Sequence, residues 1–133
     1  MRKIFVRLHK GDLLKEEILK LCINKNISSG VIISSVGSLD KAFIRNAGGN
    51  EVKEFNEPLE IISLNGTVSN ERIHLHISVS DKNYNVYGGH LMDGSIINTT
   101  CELGILIFDD LEFKKTFDEA TSYNELEIIK KDK

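Results

Sequence analysis

The chain has 133 residues, a net charge of −3, 41% hydrophobic residues and 28% charged residues. This length suits one domain with a substantial core, and the composition excludes a disordered or fibrous chain. No apolar run approaches the roughly 20 residues that span a bilayer, and charged residues near the N-terminus interrupt any signal-like stretch. We therefore expect a single cytoplasmic domain over residues 1–133 that has no membrane partner.

The charge balance also bears on nucleic acids. Domains that neutralise many phosphates usually carry an excess of basic residues. Here the basic residues are scattered, apart from Lys114-Lys115 and the C-terminal tail, and we expect residues 125–133 to be frayed. Direct binding of duplex DNA by this chain alone is disfavoured.

The first predicted elements are a strand over residues 3–8 and a helix. Gly11-Asp12 interrupts the strand pattern, and Asp12 is a typical N-cap because its carboxylate can accept a backbone hydrogen bond. Apolar residues then recur at i, i+4, i+7 and i+8, namely Leu14, Ile18, Leu21 and Cys22. This spacing predicts an amphipathic helix that ends near Asn24.

Beyond residue 26 the pattern changes to alternation with a period of two and to continuous apolar runs, which predict strands. The predicted strands cover residues 31–36, 42–45, 51–55, 59–68, 72–80, 85–91, 101–108 and 112–117. We therefore predict an α+β fold. It is a single compact domain with a mainly antiparallel β-sheet of about seven or eight strands and one main helix near the N-terminus.

The two cysteines do not indicate a disulfide or a cysteine-ligated zinc site. Cys22 and Cys101 are far apart in sequence, and neither belongs to a CxxC pair. We expect both to be buried thiols that act as small hydrophobic side chains.

The strand at residues 72–80 carries the clearest chemical signal. Its apolar residues alternate with His74, His76, Ser78 and Ser80. Alternate residues of a strand point to the same face about 6.6 Å apart, so the two imidazoles can converge on one cation. Polar residues on the wet face of a half-buried strand would produce the same pattern, and the pair alone does not decide between the two interpretations.

A third histidine strengthens the metal interpretation. His90 follows Gly88-Gly89, which permits a close approach of the backbone, and an antiparallel return would place it beside the pair. Three imidazoles with one open position are the ligand set of a catalytic-type zinc site, although other divalent transition metals also accept imidazole. His9 is expected to lie at the surface.

Candidate carboxylates near this site are Asp81, Asp93 and Glu102. Glu102 is the candidate catalytic residue, because it lies between apolar residues at the start of a predicted strand and could orient an imidazole or carry a proton. The alternative is an exposed strand end. No complete acid/base set can be identified.

Several motifs in order resemble the PPC domain family, which plants and prokaryotes share. They are RL at residues 7–8, GDL at 11–13, VGSL at 36–39, PLEIISLNGT at 58–67, HLH at 74–76 and GGHLMDG at 88–94. The resemblance covers nearly the whole chain. Members of the family often carry a DNA-binding label, and the fold is similar to that of acetolactate decarboxylase.

The resemblance implies a homotrimer and a metal, usually zinc, held by His74, His76 and His90. It also implies a regulatory, DNA-associated or partner-binding role, and another protein is a possible partner. In plant members the DNA contact resembles an AT-hook outside the domain, and this sequence contains no such segment. The alternative function is a metal-dependent enzyme, decarboxylase- or hydrolase-like, that acts on a small oxygenated substrate.

Overall fold

Most of the chain forms β-strands, as the alternating and continuous apolar patterns predict. The computed structural model describes residues 1–132. Its elements are β1 (Arg2–His9), α1 (Leu14–Asn24), β2 (Gly30–Arg45), β3 (Val52–Phe55), β4 (Leu59–Val68), β5 (Ile73–Ser80), β6 (Val86–Leu91), β7 (Ile96–Ile107), β8 (Leu111–Asp118) and β9 (Tyr123–Lys130). The predicted α+β class, the single compact domain and the position of the helix are confirmed, with nine strands instead of seven or eight.

The first seven strands form one antiparallel sheet in the order β1-β7-β2-β4-β5-β6, and β3 pairs with β2. The end of β2 also pairs with β6, through Ile44 with Leu91 and Arg45 with His90. This extra pairing closes the sheet on itself through β2, β4, β5 and β6. Strands β8 and β9 form a separate hairpin.

Strand β2 makes this closure possible because it is long and irregular. The sequence predicts two strands at 31–36 and 42–45, but the structure contains one strand of 16 residues. Its register against β7 shifts at three places along its length. Such bulges bend a strand and increase its twist, so the beginning of β2 pairs with β7 and β4 while its end reaches β3 and β6.

The helix covers the core with one apolar face. Leu14, Ile18 and Cys22 are fully buried, as their helical spacing predicts. The predicted N-cap is wrong: Leu13 occupies that position without a side-chain cap, while the Asp12 carboxylate accepts a hydrogen bond from the His9 backbone N–H. Within residues 1–132, no helix has the length and apolar character needed to cross a membrane.

The C-terminal end differs from the expected frayed tail. Residues up to Lys130 form β9, which pairs with β8 along the whole of both strands. The pairing explains the order, because each strand satisfies the backbone hydrogen bonds of the other. The expectation for Lys133 lies outside the described residues.

We predict that Gly66→Ala destabilises the fold. Gly66 in β4 has a φ of +153°, and a Cβ there would overlap the backbone carbonyl of His74 in β5. The two strands would have to separate, so the free energy of unfolding should fall by more than about 1 kcal/mol, measured by urea denaturation. The matched control is Gly48→Ala, where a Cβ would approach only asparagine side chains. Equal losses in both variants would contradict the prediction.

Candidate metal centre

Strand β5 presents two histidines on its polar face. Leu75 and Ile77 on the opposite face are buried in the core, whereas His74 is partly buried and His76 is exposed. Burial of the apolar face fixes the rotation of the strand, because a shift by one residue would turn the apolar set outward. The two imidazoles are therefore held on one side of the sheet.

The register of the sheet brings the third histidine to the pair. His76 of β5 lies directly opposite His90 of β6, and His90 lies opposite Arg45 of β2. Directly opposed residues of antiparallel strands have Cβ atoms about 5 Å apart on the same face. A Cβ at position 89 would clash with the Arg45 backbone oxygen, so Gly89 permits the close approach of β6 and β2.

The three histidines form a compact cluster. Each offers one ring nitrogen such that all three nitrogens lie within 4.8 Å of one another. The ring centroids are 5.3–5.7 Å apart. The Nδ1 atom of His90 is buried and has no hydrogen-bond partner among residues 1–132. A buried polar atom without a partner is costly, and three converging imidazole nitrogens are a ligand set for divalent transition metals, so these residues fit a divalent metal.

The electrostatic environment favours the neutral form of His74 and of His90. Burial, followed by the positive charge of Arg45, lowers the pKa of His90 from 6.5 to about 4. Burial, followed by the positive charge of Arg72, also lowers the pKa of His74. Because a metal competes with protons for the ring nitrogen, neutral imidazoles are ready to act as ligands.

A cavity of about 540 Å³ opens beside His74 and His90. Arg45, Arg72 and Lys15 contribute positive charge to its walls, and Glu125 of β9 contributes a carboxylate. The sequence patterns did not identify these four residues as part of a site. No local motif marks them, because they come together only through the closure of the sheet and the position of the β8–β9 hairpin.

The structure places the remaining candidates outside the cluster. Glu102 lies in β7 opposite Arg7 and Val36, on strands that do not carry the histidines. The Asp81 carboxylate accepts backbone hydrogen bonds in the turn before β6. Asp93 forms a salt bridge with Lys15 at 3.4 Å. His9 is exposed at the end of β1, as the sequence predicts.

Comparison with known sequences finds a domain family and longer relatives. The sequence model of the Plants and Prokaryotes Conserved (PCC) domain matches residues 1–109. The bifunctional protein GlmU of Synechococcus sp. strain JA-3-3Ab is 39% identical over 127 residues, which are 94% of this chain and 20% of GlmU. The chain thus spans about a fifth of the length of this curated relative.

Two solved structures combine a similar fold with 31% sequence identity. A hypothetical protein from Salmonella cholerae-suis superposes with a TM-score of 0.94, over 97% of this chain and 94% of that one. A protein from Archaeoglobus fulgidus that is described as metal-containing has a TM-score of 0.81, over 95% of this chain and 93% of that one.

We predict that the metal-free protein loses stability as the pH falls from about 6.5 to 4. The pKa of His90 is about 4 in the folded protein against an ordinary 6.5, so in this interval the unfolded chain binds the proton more readily. Protonation then favours unfolding. Urea denaturation at several pH values should show a smaller decrease for His90→Gln than for the unsubstituted protein. His9→Gln is the control, and identical decreases in all three proteins would contradict the prediction.

Proposed function

We propose that this chain, which belongs to the Plants and Prokaryotes Conserved domain family, is a homotrimeric zinc-binding module with a regulatory or partner-binding role. The observation that carries the proposal is the convergence of three imidazoles from β5 and β6. The family resemblance supports the trimer. We also infer a cytoplasmic location, since both cysteines are free and buried thiols.

Zinc fits this ligand set best. Zinc accepts three imidazoles readily and commonly keeps a fourth position for water or another ligand. His74, His76 and His90 would hold the ion, and zinc bound there would supply a Lewis acid. The ligand type also permits other divalent transition metals, so elemental analysis has to identify the ion.

Exposed apolar side chains on the outer face of the sheet support assembly. Phe5 is 66% exposed and Val36 is 58% exposed. The side chains of Phe5 and Ile33 lie together over Gly104. Val36 of β2 and Ile62 of β4 are equally exposed. We call these four side chains the outer apolar patch. Several exposed apolar side chains on one sheet, two of them side by side, are typical of protein interfaces.

A metal-dependent enzyme that acts on a small oxygenated substrate, decarboxylase- or hydrolase-like, is the second candidate. The cavity beside His74 and His90 favours it, because its volume of about 540 Å³ is within the range of small-molecule sites. Glu102 is not part of the cavity wall, which leaves it without a role in this proposal. Direct DNA binding by this chain alone is not proposed, because the net charge is −3.

We predict about one zinc ion per chain in protein purified without chelators and without a tag. His76→Ala should lose the metal, because two imidazoles cannot provide the three-nitrogen site. Elemental analysis measures the metal content of both proteins. His9→Ala is the matched control, since this histidine lies outside the cluster, and it should retain the metal. Metal-free protein in all three preparations would refute the proposed function.

We predict that Phe5→Asp breaks the trimer. A carboxylate in the outer apolar patch would have to be buried without a partner in the assembly, which is strongly unfavourable. Light scattering coupled to size exclusion should give three times the 15.0 kDa chain mass for the original protein and a smaller mass for the variant. Tyr84→Asp is the control, because Tyr84 is 90% exposed in a turn outside the patch. A monomeric original protein would refute the trimer.

A further inference from the structure

The cavity beside the histidines has a positively charged wall that the metal does not explain. Arg45 and Arg72 both line it. Within residues 1–132 the salt bridges involve Arg2, Lys10, Lys15, Lys41, Lys114, His9 and the N-terminal amino group. Neither cavity arginine therefore has a carboxylate partner in the described part of the chain.

Arg45 is the more constrained of the two. Its Nε atom is buried and has no hydrogen-bond partner among the described residues. The guanidinium group is always charged, and a buried charged donor without a partner costs considerable free energy. The backbone of Arg45 is paired with that of His90. This pairing fixes the position of Arg45 in the sheet, so a shift of the strand cannot bring its Nε atom to another acceptor.

The proposed metal would increase the excess of positive charge. Imidazole is an uncharged ligand when it binds a metal, so a divalent ion would keep its full charge. Arg45 lies on the strand next to His90. Like charges at the same cavity repel each other, most strongly where water is excluded. An anion that contacts both the ion and the guanidinium group would relieve the repulsion and provide the missing hydrogen-bond acceptor.

The other charged groups at the cavity indicate how much negative charge is required. Lys15 is paired with Asp93, and Glu125 from β9 also lines the cavity. These groups leave Arg45 and Arg72 against one carboxylate, which is a small net positive charge. A divalent ion would raise this excess to three positive charges, and a ligand with one carboxylate or two would reduce it.

We propose that this cavity binds a small organic carboxylate whose anionic oxygens pair with the guanidinium group of Arg45 beside the three histidines. Carboxylate and guanidinium groups match in a planar, bidentate arrangement. The cavity of about 540 Å³ suits a ligand of a few carbon atoms. The inference names the ligand class of the proposed zinc site and in that respect rests on the proposed function.

The β8–β9 hairpin, in the C-terminal part of the chain, forms one wall of this cavity. Tyr123, Asn124 and Glu125 line it, and they lie beyond the residues 1–109 that the family model matches. Their polar groups can donate or accept hydrogen bonds to hydroxyl or carbonyl groups of the ligand. A hydroxy- or oxo-substituted carboxylate could therefore bind Arg45 through its carboxylate and the hairpin residues through its hydroxyl or carbonyl group.

The test is calorimetric titration of succinate and of malate into the zinc-loaded and the metal-free protein at fixed ionic strength. We expect saturable binding that is tighter in the zinc-loaded protein. Arg45→Gln should weaken binding about ten- to one-hundred-fold, because a lost hydrogen bond to a charged group costs about 1.5–3 kcal/mol. Arg7→Gln is the matched control: Arg7 bonds Thr100 outside the cavity, and its substitution should leave binding unchanged.

The design separates this inference from the proposed function. Normal zinc content with no saturable binding of either carboxylate overturns the inference alone. Absence of zinc with Arg45-dependent succinate binding to the metal-free protein refutes the zinc proposal and supports the carboxylate site. Tighter Arg45-dependent binding of inorganic phosphate than of succinate overturns the carboxylate class. If Arg45→Gln does not fold, Arg72→Gln provides the second variant. An unchanged affinity of Arg72→Gln for succinate would contradict binding of the carboxylate by the arginines of the cavity.

Discussion

The pairing of the end of β2 with β6 is the interaction on which the candidate site depends. It places Arg45, His90 and His76 in one row across three strands. Without it, β6 would be the edge of an open sheet and Arg45 would not lie opposite His90. The pairing in turn requires the shifts of register in β2, since a regular strand of that length would not bend far enough to reach β6.

The electrostatics of the site follow from the same packing. Burial and the neighbouring arginines lower the pKa of His90 and of His74, which favours the neutral imidazole, whose one unprotonated nitrogen can act as a ligand. The same arginines oppose the accumulation of positive charge. A site of this kind is therefore suited to a metal ion together with an anion, and the two would stabilise each other's binding.

The surface of the sheet has one apolar region and one polar region. Phe5 and Val36 belong to an apolar patch, whereas the histidines and Arg45 line the polar cavity near the hairpin. In the proposed trimer, the outer apolar patch would be buried between chains. The ligands of the cavity would then be bound by the polar groups that line it in each chain. Glu102 lies on β7 opposite Val36, so it is next to the outer apolar patch and not at the cavity.

Much of the fold could be predicted because local patterns report local burial. The alternation in residues 73–80 predicts β5 and the shared face of His74 and His76, since side chains of a strand point alternately to its two faces. The failures were also local. Asp12 has the chemistry of an N-cap, but its carboxylate binds the His9 backbone instead. Residues 125–130 include Leu126, Ile128 and Ile129, but the expectation of a frayed end rested on the charged residues around them, and pairing with β8 orders the segment.

The sequence by itself determined the strands, the helix, the resemblance to a domain family and the three histidines as candidate ligands. Periodicity and spacing encode these features within short segments. Only the tertiary structure decided that Arg45, Arg72 and Glu125 share a cavity with those histidines. Their proximity depends on which strands pair and in which register, and register between distant segments is a property of the packed sheet.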